Sequence, residues 1–146
     1  MAQQDACTLL DEDHNEVIRL FEQYKSAHDG NRQQLLAANI CQELLVHMEI
    51  EDEIFYPTFL RATGDEHLLE DARKEHKEAR ELIAKIKQDR KNAKLMLDLE
   101  DAILHHVNDE REKMFPEARA CKGLDLFALA DQLQARKTEL QEAHPA

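Results

Sequence analysis

Glycine and proline are scarce, three of each in 146 residues, so the chain has few places to turn. Ala, Leu, Glu, Lys, Gln and Arg dominate instead, the residues that enter a helix at least cost. No Val-, Ile- and Thr-rich run alternates as a strand would, and the chain reads as all-α. Positive charge is also short: 19 Lys and Arg against 31 Asp and Glu give a formal net charge of −12. A phosphate backbone needs a basic surface, so nucleic acid is disfavoured as a partner, and an anionic membrane with it. No apolar run approaches the ~20 residues that cross a bilayer. The start, MAQQDACTLLDEDH, has no basic segment and no apolar stretch, which argues against a secretory signal. The three cysteines, Cys7, Cys41 and Cys121, are an odd number without metal spacing and fit reduced, inert thiols in a cytoplasmic protein. One domain with a real core is expected at this length.

What is present is helical periodicity. A first helix is expected from about Asp5 to Ala27, with an inward stripe of Leu10, His14, Val17, Ile18 and Phe21. A second runs from about Asn31 to Ala62, with Ile40, Leu44, His47, Ile50, Glu51 and Ile54 inward and a kink or end at Pro57. A third covers about Glu66 to Asp89, with Leu69, Ala72, His76, Ala79 and Ile83 inward. A fourth follows a polar link near Asn92 and reaches Ala120, with Leu99, Ile103, His106, Val107 and Glu110 inward. Short connections imply an up-down-up-down antiparallel four-helix bundle over residues 1–122. Residues 123–146 then form an add-on: a shorter fifth helix, Leu124 to Gln141, with Leu126, Phe127, Leu129, Ala130 and Leu133 inward, and a tail.

One pattern occurs twice. A His is followed by a Glu four residues later and a Pro ten residues later: His47, Glu51, Pro57 and His106, Glu110, Pro116. Each copy is preceded by a lone helical His, His14 and His76. Residues four apart share a helix face, so each His–Glu pair points one way, into an apolar stripe where such groups are costly unless paired or bound to metal. Four imidazoles and two carboxylates thus converge inside one bundle. A single inward His is most often a satisfied core residue, and one HxxxE in a Glu-rich chain signals nothing. Two copies with matching aromatic–Pro pairs, Tyr56-Pro57 and Phe115-Pro116, favour a metal site. His105 competes with His106, but only His106 shares the offset to Pro and a stripe with Leu99 and Ile103. His67 is read as surface, and His28 and His144 lie near a helix end and in the tail. Glu43, one turn before His47, is either a bundle-edge residue or a further ligand. Lys113 is expected to face inward and pair with Glu117. Tyr56 points away from the His47 face of a straight helix, so only a distortion near Pro57 would make it a ligand.

On these residues the chain resembles the hemerythrin-like family, the HHE cation-binding domains, whose pattern is H…HxxxE…H…HxxxE over about Leu9 to Arg119 here. The resemblance implies a metal set of His14, His47, Glu51, His76, His106 and Glu110 and a cofactor of two iron ions, oxo- or hydroxo-bridged. Imidazole and carboxylate also admit manganese or zinc. The ferritin-like alternative needs Glu-x-x-His, which this chain lacks. Oxygen-carrying family members have a further His where Ala72 stands and a longer His-to-Asp spacing on the last helix, so simple oxygen storage is not implied. If both Glu bridge two octahedral metals, protein groups and a bridge fill about ten of twelve positions and leave roughly two open. The expected function is binding of O2, or reaction with peroxide or NO. The alternatives are an iron- or oxygen-sensing module without turnover, a peroxidase-like or NO-consuming enzyme, and a metal-free scaffold. Oligomeric state is left open.

Overall fold

The computed structural model describes residues 4–143. Among them there is no strand, and helices account for nearly every residue. The elements are α1 (Ala6–Ser26), α2 (Gly30–Ile50), α3 (Tyr56–Thr63), α4 (Glu66–Gln88), α5 (Ala93–Asp109), α6 (Phe115–Ala120) and α7 (Leu126–Ala143). Five-residue π turns, Glu51–Phe55 and Glu110–Met114, join α2 to α3 and α5 to α6 into two long rods. Short polar links begin four of the helices. Asp5, Asp29, Asp65 and Asn92 each accept a hydrogen bond from the first turn of α1, α2, α4 and α5. Gly64 closes α3 at φ 72°, a left-handed position that a glycine adopts freely. The result is the expected all-α bundle. The fifth helix, α7, runs from Leu126 rather than Leu124, and it lies against α1, α2 and the first π turn. Glu142 and Ala143, expected in the tail, are helical; His144 and the last two residues lie outside the described residues.

Both π turns trace to the aromatic–Pro pairs. Proline has no N–H to donate and its ring collides with the carbonyl four residues back, so a regular α-helix cannot pass through it undisturbed. Here one residue is inserted instead. The N–H of Tyr56 bonds the carbonyl of Glu51, five residues earlier, and that of Phe115 bonds the carbonyl of Glu110. The helix then continues, so Pro57 neither ends the rod nor removes it from the bundle. Beyond each turn the inward face moves by one residue. Ile54 is half-buried and Lys113 is 58 % exposed, whereas Phe55 and Met114 are buried. The expectation that Lys113 faces inward fails for this reason. Lys113 pairs with Asp109 at 3.8 Å, one turn earlier, not with Glu117.

Two apolar clusters fill the interior. One gathers Leu9, Leu10, Ile50, Phe55, Phe59 and Leu69 with Leu126, Leu129 and Leu133 of α7. The other gathers Val17, Phe21, Ile40, Leu44, Ile83 and Leu99. The buried residues of α7 follow i, i+3, i+4, i+7 spacing from Leu126, which puts Phe127 off the stripe and 50 % exposed, against expectation. Between the two clusters lies a polar layer: Asp13, His14, His47, Glu51, His76, His106 and Glu110 are the buried polar residues.

Candidate metal centre

All four inward histidines and both glutamates lie in that layer, each with at most 4 % exposure, while His105 is 70 % exposed at the side chain. One ligand atom from each of His14, His47, Glu51, His106 and Glu110 falls within 4.8 Å of the others. His76 joins through Glu51, with its Nε2 3.0 Å from Oε1, and through His106, 3.3 Å away between Nε2 atoms. The imidazoles fall into two pairs. His14 and His47 have ring centroids 4.8 Å apart, and His76 and His106 are 4.7 Å apart. Glu51 Oε1 lies 3.2 Å from His47 and 3.0 Å from His76, so one carboxylate spans both pairs. Glu110 Oε1 does the same, 3.0 Å from His14 and 3.2 Å from His106.

Outer hydrogen bonds fix the direction of every ring. The Nδ1–H of His14 donates to Asp11 (2.9 Å), that of His47 to Asp13 (3.1 Å), that of His76 to Asp52 (2.9 Å) and that of His106 to Glu75 (2.8 Å). A carboxylate can only accept, so each bond puts the hydrogen on Nδ1 and turns Nε2 toward the centre. Each carboxylate is itself held by a basic group: Asp11 by Arg111 (2.6 Å), Asp52 by Arg80 (2.7 Å), Asp13 by Lys137 of α7 (2.6 Å) and Glu75 by His105 (3.3 Å). These acids went unread in the sequence, although one signal was present: an acid directly precedes the lone His in both halves, Asp13-His14 and Glu75-His76. Each acid binds the other histidine of its own half. Replacing Asp13 by Ala frees the His47 ring, and metal affinity should fall by about 10–100-fold in an isothermal titration; unchanged affinity would show that the orienting bond is dispensable.

Inside the cluster, polar atoms face one another without bonding. Among the described residues, His14 Nε2, His47 Nε2, Glu51 Oε2 and Glu110 Oε1 are buried with no hydrogen-bond partner. His14 Nε2 and Glu110 Oε1 come within 3.0 Å yet lack the alignment of a hydrogen bond. A core built for its own hydrogen bonds does not leave four such atoms orphaned. This donor set, imidazole nitrogen and carboxylate oxygen with lone pairs converging in a dry layer, fits a first-row divalent or trivalent metal.

Without metal, the surrounding acids favour protonation of three of the imidazoles. Burial alone would lower the pKa of His47, but the Glu51 charge 3.2 Å away and the hydrogen bond to Asp13 outweigh it and raise the value to about 10. His76 and His106 are raised the same way against burial, His106 well above the usual imidazole value. Glu51 shows the reciprocal effect: burial opposes ionisation, but His47 and the surrounding hydrogen bonds hold it well below the usual carboxylate range. The thiols of Cys7 and Cys41 are pushed up by burial, to about 12 and about 11, and stay uncharged.

Tyr56 enters the layer, and here the straight-helix reading is corrected. Five residues on a regular α-helix carry a side chain roughly 140° away from Glu51, but across the π turn they return it to the same face. The Tyr56 hydroxyl donates to Glu110 Oε2 (2.9 Å) and Glu51 Oε1 (3.2 Å) and lies 3.1 Å from His76 Nε2. Burial and the Glu110 and Glu51 charges raise its pKa well above the usual phenol value, so it stays protonated. Phe115 is its counterpart and stacks on His14 at 6.0 Å. One half of the centre thus faces a hydroxyl and the other a bare ring. Glu43, by contrast, is only half-buried and is not in the cluster. Tyr56→Phe should destabilise the metal-free protein by about 1–3 kcal/mol, because buried carboxylate oxygens lose a donor. Urea unfolding checks this, and no change in midpoint would contradict it.

Fold and site together define a class: a helical bundle that encloses a layer of histidines and carboxylates suited to metal. The sequence matches the Hemerythrin HHE cation binding domain family over residues 5–118, and the chain belongs to that family. The crystal structure of a hemerythrin HHE cation-binding domain-containing protein from Mycobacterium kansasii has the same fold, with a TM-score of 0.82 at 21 % identity, covering 96 % of this chain and 89 % of that one. A DNA nickase of Nostoc sp. is 30 % identical over 134 residues, 89 % of this chain. The chain spans only 38 % of that relative's length. No helix among the described residues is long and apolar enough to cross a membrane.

Proposed function

We propose that this chain holds two iron ions on His14, His47, Glu51, His76, His106 and Glu110, with manganese or zinc as competitors, and uses them to bind O2 or react with peroxide or NO. The observation that carries the reading is the set of buried, unbonded nitrogen and oxygen atoms between rings whose outer nitrogens are all tied down. His14 and His47 would hold one ion, His76 and His106 the other, and the two glutamates would bridge them. Such a pair supplies open coordination positions and a change of oxidation state. The chain's own residues do the rest. Asp11, Asp13, Asp52 and Glu75 keep the imidazoles oriented and electron-rich. Val17, Leu44, Met48 and Ile103 line the His14–His47–His106 side and keep bulk water away. Tyr56 holds a proton between the two bridging carboxylates, on the His76 side only. Ala72 puts no ligand where an oxygen carrier has one. We take the chain to be cytoplasmic, on its uncharged, unpaired buried thiols.

A second reading is a regulatory module that senses iron or oxygen without turnover. The Nostoc match favours it, because there a segment similar to this one forms 38 % of a longer protein. DNA nicking is not carried over, since a net charge of −12 opposes contact with phosphates. The test is to load Fe2+ anaerobically and mix with O2, hydrogen peroxide or NO. Catalytic consumption that His47→Ala abolishes supports the reactive centre. A spectral change with no turnover overturns consumption of peroxide or NO and leaves O2 binding or sensing, and no response to any of the three overturns both readings.

A further inference from the structure

Among the described residues there is one other group of metal-ligand type, Glu75, His105 and Asp109. One ligand atom from each lies within 4.8 Å of the rest. His105 Nε2 is 3.3 Å from Glu75 Oε2 and 3.4 Å from Asp109 Oδ2. His105 and Asp109 stand one turn apart on α5, and Glu75 faces them from α4. Both carboxylates flank the same imidazole nitrogen, so two acids share one small site where a cation would relieve their repulsion.

The duplicated architecture does not require this group. In the first half, the positions matching His105 and Asp109 are Val46 and Ile50, both buried and apolar. The acid matching Glu75 is Asp13, whose outer oxygen is occupied by Lys137. In the second half the His105 side chain is 70 % exposed at that place, and the imidazole reaches solvent.

Two members of the group, Glu75 and Asp109, border a small cleft beside the centre. This cleft between α4 and the second π turn is lined by Asp71, Ala72, Glu75, Asp109, Glu110 and Lys113, among others. Glu110 also lines it, 1 % exposed, with Oε1 turned to His14 and His106 in the centre. Ala72, with its small side chain, lies on the cleft wall. Lys113, exposed and 3.8 Å from Asp109, is the one cation among these lining residues.

We propose that Glu75, His105 and Asp109 form a surface docking site for Fe2+, from which the ion passes along the cleft beside Ala72 to Glu110. Two carboxylates and one imidazole, open to water, suit a labile divalent ion of this kind. The inference rests on the metal-pair reading above. Asp109→Asn, which leaves the His105–Glu75 contact in place, tests it in the metal-free, full chain. With micromolar Fe2+ added anaerobically, the rate at which iron becomes inaccessible to a chelator should fall about tenfold in the variant, the scale of a lost local cation concentration, while final iron content matches the parent. Separately, substoichiometric Mn2+ should broaden the His105 ring resonances before those of His28 and His67, and Asp109→Asn should remove that preference. Equal loading rates, or uniform broadening, overturn the docking site alone. A parent protein that takes up no iron overturns the metal-pair reading and the docking site with it.

Discussion

Iron loading is expected to raise the melting temperature of this protein by roughly 20–30 °C. At a thousandfold excess over Kd, each bound ion adds about 4 kcal/mol to the folded state. Two ions then add about 8 kcal/mol, and a domain of this size gains roughly 3 °C per kcal/mol. The gain is large because the metal-free layer is poorly satisfied. Two carboxylates and four imidazoles are buried between apolar clusters, with four of their atoms unbonded. In the metal-free state the surrounding acids raise the pKa of His47, His76 and His106 and so favour their protonated forms. His47, raised to about 10, contributes stability that is fully present below the usual imidazole value near 6.5 and is lost as pH rises through about 10. Metal needs the same nitrogen unprotonated, so loading releases protons at pH 7 and the rise in melting temperature shrinks as pH falls. Differential scanning calorimetry with and without Fe2+ checks both. A melting temperature that metal does not move would leave the buried layer without a purpose.

Glu51→Gln is expected to reduce iron from two ions per chain to at most one. Glu51 is fully buried and lies within 3.4 Å of His47, His76 and His106, so both imidazole pairs depend on it. A neutral amide of the same shape cannot bridge two cations. The metal-free protein should suffer as well. His47 owes its raised pKa largely to Glu51, and a buried imidazolium that loses its anion costs about 3–5 kcal/mol. Glu110→Gln should act on the His14–His106 bridge in the same way. Elemental analysis and urea unfolding of the two variants decide the matter. Retention of two ions by either variant would show that this glutamate does not bridge.

The helices and the six converging side chains were legible because both follow the 3.6-residue period. His14, His47, Glu51, His76, His106 and Glu110 each replace an apolar residue in a stripe, and the stripe alone puts them inside. The choice of His106 over His105 came from the same register, and the structure buries the one and exposes the other. What periodicity cannot express is a break in its own count. The π turns at Glu51 and Glu110 shift every later position, which is why Tyr56 is inside, Lys113 outside, and Phe55 and Met114 stand in for Ile54 and Lys113. The cue was there in Tyr56-Pro57 and Phe115-Pro116, but read as a kink. The outer acids were hidden for another reason. Asp11, Asp13, Asp52 and Glu75 look like ordinary solvated carboxylates in a chain with 31 of them. Asp11 reaches His14 within one turn of α1, but only the packing of α1 on α2, of the first π turn on α4 and of α4 on α5 brings Asp13, Asp52 and Glu75 to their histidines, and only the docking of α7 brings Lys137 to Asp13.

Mössbauer spectroscopy of the iron-reconstituted protein, combined with iron per chain, tests the central claim most directly. A carboxylate-bridged pair predicts two iron ions per chain and, after oxidation, magnetically coupled ferric ions with no net spin. An uncoupled mononuclear ferric signal at one ion per chain, or no bound iron at all, would contradict it.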